Sequence, residues 1–404
     1  MGDLHLPWGS RVRILHVIPS IDPATGGPAE GLKQFCKIYR AGGHDVEVAS
    51  LDSPAFAGDC PFPAPVIGLG PGVGVFGYSH KLLVWLRANR SRFDVVIVNA
   101  IWQYNAVAVH RALAGTGIPY AVFTHGMLDP YFRQRFPLKH LKKVVYWFAI
   151  LRRIMEDAST VFFTSEEERL LARQSFAGYK VRETVIPYGT FGADCDTARA
   201  EEAFLAQWPH LQGKRVALCL GRIHRKKATD ILIEAFASTL ARDSEWHLVI
   251  AGPDQTGWQA ELQALANRLG IEDRITWTGM LQGDLKWGAL SSSEIFVLPS
   301  HQENFGIVVA EALSCGLPVV ISSKVNIWRE VESYGAGMVG KDTLEGTRDS
   351  LERWSRLQPG EIAEFQSNGR KCFDEQFNFN VTARKLLDTI ASIAATNTIS
   401  AKPS

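Results

Sequence analysis

Apolar runs rich in valine and isoleucine recur along the chain at 13–18, 45–49, 94–98, 120–124 and 160–164. They are near-continuous rather than strictly alternating, which is how strands buried on both faces read. The segments 30–41, 79–89 and 106–113 between them are long enough for crossover helices and predict a parallel, doubly wound α/β sheet. The same rhythm restarts at 215–220 and continues at 247–251, 275–278, 295–298 and 318–321, so a second domain of the same class begins near Gly213. Between the two series lies 186–192, rich in turn formers and followed by a short polar helical segment, which places the hinge at about 188–212. Beyond Ala363 the spacing is helical nearly to the frayed end, with Phe373, Phe377 and Phe379 ahead of an amphipathic run at 383–393. The resulting division is 1–190, 191–375 and a terminal helix at 376–404. Periodicity requires this tail to be packed without saying where; the expectation is that it crosses back to the N-terminal domain.

Composition adds exclusions. A chain of 404 residues exceeds one ordinary core and favours two domains. Its 46% hydrophobic and 21% charged residues are those of a globular protein. Lysine plus arginine (43) balances aspartate plus glutamate (42), so there is no overall basic field for nucleic acid, and no nucleic-acid partner is expected. The six cysteines contain no Cys-x-x-Cys pair, which argues against structural zinc and a disulfide scaffold and suits a reducing cytoplasm. Residues 1–11 have no signal-peptide h-region, and no apolar run approaches the ~18 residues of a spanning helix. The expected location is cytoplasmic.

Three loops carry candidate chemistry. The first, 19–28, follows the first strand and holds Gly26 and Gly27 at the start of a helix, where backbone amides could approach an anion. A glycine pair there is also ordinary turn chemistry, and the spacing is not the Gly-x-Gly-x-x-Gly of a dinucleotide site. The second, 221–228, brings Arg222 and Lys227 to the carboxyl end of a strand, where open α/β sheets bind ligands. These cations could neutralise a diphosphate; the bland alternative is a solvated basic turn. The third, 299–316, places Glu303 in a loop and Glu311 about one turn into the helix that follows. If that helix starts near Ile307, both carboxylates can reach one ligand at the sheet edge.

Glu303, inside Pro-Ser-x-x-Glu-x-Phe-Gly, and Glu311, with seven residues between the two glutamates, resemble the motif of retaining glycosyltransferases of family 4, and the resemblance covers nearly the whole chain. It implies the GT-B fold, two Rossmann-like doubly wound domains facing each other across a cleft, with 1–190 on the acceptor side and 191–375 binding the nucleotide sugar. It also implies roles: Arg222, Lys227, Gly26 and Gly27 around the donor diphosphate, and Glu303 on the transferred sugar's hydroxyls. The amides of Asn304, Phe305, Gly306 and Ile307 would assist, and Glu311 would hold the ribose. His125, in the run Thr124-His-Gly-Met-Leu-Asp-Pro130, matches the histidine beside the reacting carbon, although a lone histidine at a strand end is more often structural. The run resembles that of polysaccharide-assembling members, with Asp129 facing the acceptor. The implied donor is a UDP- or GDP-sugar and the implied acceptor a glycan or polyprenyl-diphosphate-linked saccharide. Neither cofactor nor metal is implied.

Departures from the family pattern are Ala228 where glycine commonly follows the lysine, Tyr188 in the boundary loop, and Asn326-Ile327 where small residues are usual. Asp194-Cys-Asp196 superficially matches the Asp-x-Asp metal motif of the other glycosyltransferase fold but falls in the boundary region and reads as a solvated loop. Trp102 and Tyr104 either line the acceptor side or belong to the core. Residues 133–153 hold seven lysines and arginines, no acid, and Tyr146, Trp147 and Phe148, a composition that suits peripheral contact with an anionic membrane, with a solvated helix whose aromatic residues belong to the core as the alternative. Competing functions on the same fold are an epimerase, a phosphorylase and a non-catalytic nucleotide-sugar scaffold.

Overall fold

The computed structural model describes residues 11–23, 27–131, 133 and 137–400. The chain divides into two compact units, one comprising residues up to Ile186 together with the segment from Ala383 onward, the other Pro187–Thr382.

The first unit is built on a seven-stranded parallel sheet of β1 (Arg13–Ile18), β2 (Asp45–Ser50), β3 (Val66–Gly68), β4 (Val95–Asn99), β5 (Tyr120–Phe123), β6 (Thr160–Phe163) and β7 (Glu183–Val185), in the order β3-β2-β1-β4-β5-β6-β7. From β1 the chain builds outward to β3 and then returns to the other side of β1 to lay down β4, so β1 pairs with both β2 and β4. The loops leaving β1 and β4 therefore diverge and open a crevice at the carboxyl edge, the general ligand position in such sheets. The central strands β4, β5 and β6 are buried along their whole length, which is why they read as continuous apolar runs. One face of the sheet, with Leu15, Val17, Val96, Val98 and Val122, shares a core with Ala106, Val109 and Ala112 of the helix Tyr104–Leu113.

The second unit repeats the plan with six parallel strands: β8 (Arg215–Leu220), β9 (Trp246–Ala251), β10 (Ile275–Gly279), β11 (Ile295–Leu298), β12 (Val319–Ser322) and β13 (Gly337–Gly340), in the order β10-β9-β8-β11-β12-β13. Its switch point lies between β8 and β11. The polar helical segment expected beside the hinge is the helix Thr197–Gln207, and it belongs to this unit: Ala200 and Phe204 are buried in its core. Asp196 caps that helix by accepting from the N–H groups of Ala198 and Arg199, a structural role for the second carboxylate of Asp194-Cys-Asp196.

Edge position explains the strands that hydropathy did not reveal. β3, β7 and β13 are three or four residues long, half-buried, and lie at sheet borders, so one side of each needs no apolar residues. The basic stretch around 133–153 contains the helix Pro137–Tyr146, a π-helical turn Trp147–Leu151 and the helix Arg152–Asp157. Trp147 is fully buried and stacks on Phe176, whereas Leu141, Val145 and Phe148 are exposed. Among the described residues no helix is long and apolar enough to cross a membrane.

The contact between the helices Thr197–Gln207 and Gly283–Ser291 depends on Gly288, where an added Cβ would lie 2.1 Å from the Ala200 carbonyl oxygen. Gly288→Ala is expected to force these helices apart and destabilise the second unit by about 1–3 kcal/mol, read as a lower unfolding midpoint in urea.

Candidate active site

In the second unit the β8 and β11 loops meet at the switch point. Gly221 follows β8, and the neighbouring backbone comes so close that a Cβ on Gly252 would overlap the Gly221 carbonyl. His224 then caps the short turn Arg225–Lys227 through Nδ1, which accepts from the Lys226 N–H. Ala228 follows with φ +53°, fully buried, at the start of the helix Thr229–Ser238. The left-handed backbone explains why glycine suits this position, and alanine accepts a strain of roughly 1–2 kcal/mol there.

The turn aims Lys227 at Glu303, and the two form an ion pair with both side chains largely buried. Glu303 is anchored by backbone pairing: its N–H donates to the Lys324 carbonyl (2.9 Å) and its carbonyl accepts from the Asn326 N–H (3.0 Å). Asn326-Ile327 therefore supports the acidic loop, with both side chains buried. Gly306 follows at φ +82°, where a Cβ would meet Val325 and Glu303 side-chain atoms at 3.1 and 3.3 Å. The helix Ile307–Ser314 starts where the sequence places it. Phe305 anchors its entry by inserting between the rings of Tyr188 and Phe377, so Tyr188 has a packing role in the boundary loop.

Glu311 pairs with Lys286 of the helix Gly283–Ser291 at 2.9 Å. Nothing in the sequence marked Lys286, because the pairing joins two helices distant along the chain. Arg222 is more exposed and donates to the Gln255 side chain at 3.2 Å. The structure thus gathers Lys227, Glu303 and the loop 304–307 at one crevice, with Arg222 on the adjoining loop and Glu311 one turn into the following helix.

In the first unit Gly27 is the first residue of the helix Gly27–Ala41, and a Cβ there would enter open space. Gly26 lies outside the described residues. His125 sits at the end of β5 with φ +49°, next to Gly126 at φ +76°. Its ring stacks on Phe123, and Nε2 lies 3.2 Å from Asn99 Oδ1 at the end of β4. Asn99 Nδ2 in turn lies 3.1 Å from His16 Nδ1 on β1. Burial pushes the His125 imidazole down to about 3. His16 is likewise pushed to about 3, by burial first and by His125 second. Both rings are therefore neutral near pH 7.

A residue that sequence reasoning missed is Glu168, in the helix Glu166–Ala172. Its buried carboxylate accepts from Thr124 Oγ1, the Gly126 N–H, and both the N–H and Oγ1 of Thr164. Asp129 accepts from the Tyr131 N–H and so closes a local turn. Tyr104 is buried against Phe76 and Tyr78 and is core material. Trp102 is partly buried, donates to the Met127 carbonyl and carries the Lys143 ammonium over its ring.

A family model described as glycosyl transferases group 1 matches residues 200–371, and one described as a glycosyl transferase 4-like domain matches 26–189. GDP-mannose:cellobiosyl-diphosphopolyprenol alpha-mannosyltransferase of Xanthomonas campestris is 26% identical over 84% of this chain and 87% of that protein. D-inositol 3-phosphate glycosyltransferase of Gordonia bronchialis is 27% identical over 61% of this chain and 56% of its own length. Among solved structures, sucrose-phosphate synthase from Thermosynechococcus elongatus superposes with a TM-score of 0.72 at 19% identity, covering 95% of this chain and 100% of that one. Anabaena HepE in complex with UDP and glucose also gives 0.72, at 20% identity and the same coverage. At these identities the structural likeness is one of fold, the GT-B type with two Rossmann-like domains.

The imidazoles of His16 and His125 in the first unit carry a stability consequence. The unfolded chain takes up protons on His16 and His125 below about pH 6.5 while the folded chain resists until about pH 3. Their contribution is therefore complete above 6.5 and is lost as pH falls toward 3, at no more than about 1.4 kcal/mol per pH unit for each ring. Urea midpoints measured from pH 7 down to pH 4 should fall, and His16→Asn should flatten part of that slope.

Proposed function

Because the chain belongs to the group 1 glycosyl transferases, enzymes that move sugar from a nucleotide sugar to an acceptor, we propose that it uses a UDP- or GDP-sugar, retains the donor's α configuration and needs no divalent metal. The observation that carries this reading is the pairing of Lys227 with Glu303 at the switch point of the second sheet. In a donor the β-phosphate and the sugar hydroxyls are neighbours, so a cation for the first and a carboxylate for the second belong side by side. The relatives favour different nucleobases: the Xanthomonas protein is named for GDP-mannose, and the HepE complex holds UDP. The diphosphopolyprenol in the former's name supports a lipid-linked saccharide as acceptor, with a free glycan as the alternative, and so a role in cell-surface polysaccharide synthesis.

As the bond from the anomeric carbon to the phosphate oxygen breaks, negative charge grows on the diphosphate and positive charge on the sugar ring. Arg222 offers a planar fork and Lys227 a point charge to the diphosphate, with the amides of Asn304 to Ile307 at a helix N-terminus adding fixed partial positive charge. Gly26 and Gly27 are assigned to the same phosphates. Glu303 holds the transferred sugar and Glu311, oriented by Lys286, the ribose. The acceptor hydroxyl attacks on the face the diphosphate leaves, and the departing phosphate oxygen takes its proton, so no carboxylate nucleophile is required. His125 is assigned to the side of the reacting carbon and Asp129 to the acceptor.

The exposed Leu141, Val145 and Phe148, spaced to share one side of the helical stretch within the basic segment 133–153, support peripheral contact with the anionic cytoplasmic face of a membrane. This would bring the enzyme to a polyprenyl-linked acceptor. The variant Leu141→Ser/Val145→Ser should weaken cosedimentation with phosphatidylglycerol vesicles several-fold, and equal binding to phosphatidylcholine vesicles would remove the electrostatic part of the idea.

Thermal unfolding with UDP, GDP, UDP-glucose and GDP-mannose tests the donor site. One nucleotide series at 100 times its dissociation constant should add ~2.7 kcal/mol, a shift of a few degrees that persists with chelator. Lys227→Ala should abolish the shift and lower turnover by roughly 100-fold or more. No shift with any of the four at millimolar concentration overturns the proposal.

A further inference from the structure

Among the described residues only Ala100, His125 and Ala228 combine a side chain with a left-handed backbone, and two of these sit at the ends of the adjacent strands β4 and β5. Such conformations persist only where surrounding contacts over-determine them, and two buried groups do so here. The Glu168 carboxylate brackets His125 from both sides: Oε1 accepts from the Thr124 hydroxyl at 2.7 Å and from the Gly126 N–H at 2.5 Å. Oε2 accepts from the Thr164 N–H and hydroxyl, both at 2.7 Å, and so ties the end of β5 to the end of β6. Two of these four donors are main-chain N–H groups that can only donate, so both oxygens must remain acceptors toward them.

The second group is the Asn99 amide, held between two imidazoles. Its Nδ2 lies 3.1 Å from His16 Nδ1 and 3.5 Å from the Ile97 carbonyl, which identifies it as the donor end. Its Oδ1, 3.2 Å from His125 Nε2, must then accept a hydrogen bond from that nitrogen. The neutral His125 ring is thereby fixed with its proton on Nε2 and its lone pair on Nδ1. Phe123, stacked on the ring at an interplanar angle of 12°, restrains its rotation.

We propose that Asn99 and Glu168 are positioning residues for sugar transfer: Asn99 selects the tautomer of His125, and Glu168 holds the left-handed turn that presents it. This rests on the assignment of His125 to the reacting sugar. In this tautomer the His125 ring is neutral, its Nε2 proton is engaged by Asn99, and its Nδ1 can act only as an acceptor. The titratable groups around it are His16 across Asn99, Tyr39 beyond His16 and the Glu168 carboxylate beneath the turn. Burial holds His16 and His125 itself well below pH 6 and Tyr39 well above pH 8, so no step in turnover over that range should come from His125.

Long-range 15N–1H spectra of the histidine side chains in the full-length protein should show His125 protonated at Nε2 throughout pH 6–8. Asn99→Asp puts a carboxylate between the two rings, and a protonation step on His125 should appear inside that range, matched by a new step in turnover of whichever of UDP-glucose and GDP-mannose the protein binds. Glu168→Gln replaces one acceptor oxygen with a donor and should lower kcat by about 100-fold with little change in donor KM. Thr124→Val removes a single donor and should give a smaller loss in the same direction. If His125→Ala abolishes turnover while Asn99→Asp and Glu168→Gln keep wild-type kcat and a flat pH profile, this inference falls and the role of His125 stands. If His125→Ala turns over normally, the assignment of His125 falls, and this inference with it.

Discussion

Parallel pairing is the constraint on which the rest of the molecule depends. Strands that all run the same way deliver every loop of interest to one edge, and reversal of the building direction beside β1 and β8 leaves a crevice there in each sheet. Everything assigned to chemistry follows from that edge. Asn99 ends β4, His125 follows β5, Lys227 follows β8, and Glu303 follows β11. The central strands can be wholly apolar because their polar backbone is satisfied by neighbours on both sides, leaving charged residues to collect at the ends.

Much of this was legible in the sequence, for a specific physical reason. Strands buried on two faces cannot hide their pattern, and the motif holding Glu303 and Glu311 has a spacing set by a loop and one helical turn. The start of the helix at Ile307 and the short helix after the boundary loop were both visible. What stayed hidden depends on partners remote in sequence or on incomplete burial. Lys286 gains its meaning only from Glu311 on another helix. Glu168 lies within an acidic run, Glu166-Glu-Glu168, that reads as a solvated helix start until the fold buries its third member. The sequence left Trp147 and Phe148 open between interfacial anchors and core, and the fold divides them: Trp147 is core and Phe148 faces outward.

The departures from the family pattern also gain physical content. Ala228 occupies a left-handed position where glycine would be unstrained, Tyr188 packs edge-on against Phe305, and Asn326 hydrogen-bonds through its backbone to the loop of Glu303. All three act on the shape of the loops that carry Lys227 and Glu303 rather than adding a charged group.

The abbreviated border strands have a consequence beyond folding. A long, flat, apolar border would offer unpaired amides and carbonyls to any other chain, and β3 and β7 close the first sheet with only three half-buried residues each. A molecule that also exposes Leu141, Val145 and Phe148 needs some such restraint. Its greasy stripe is helical, with backbone groups already satisfied internally, so stickiness and strand-to-strand polymerisation are kept on different parts of the surface.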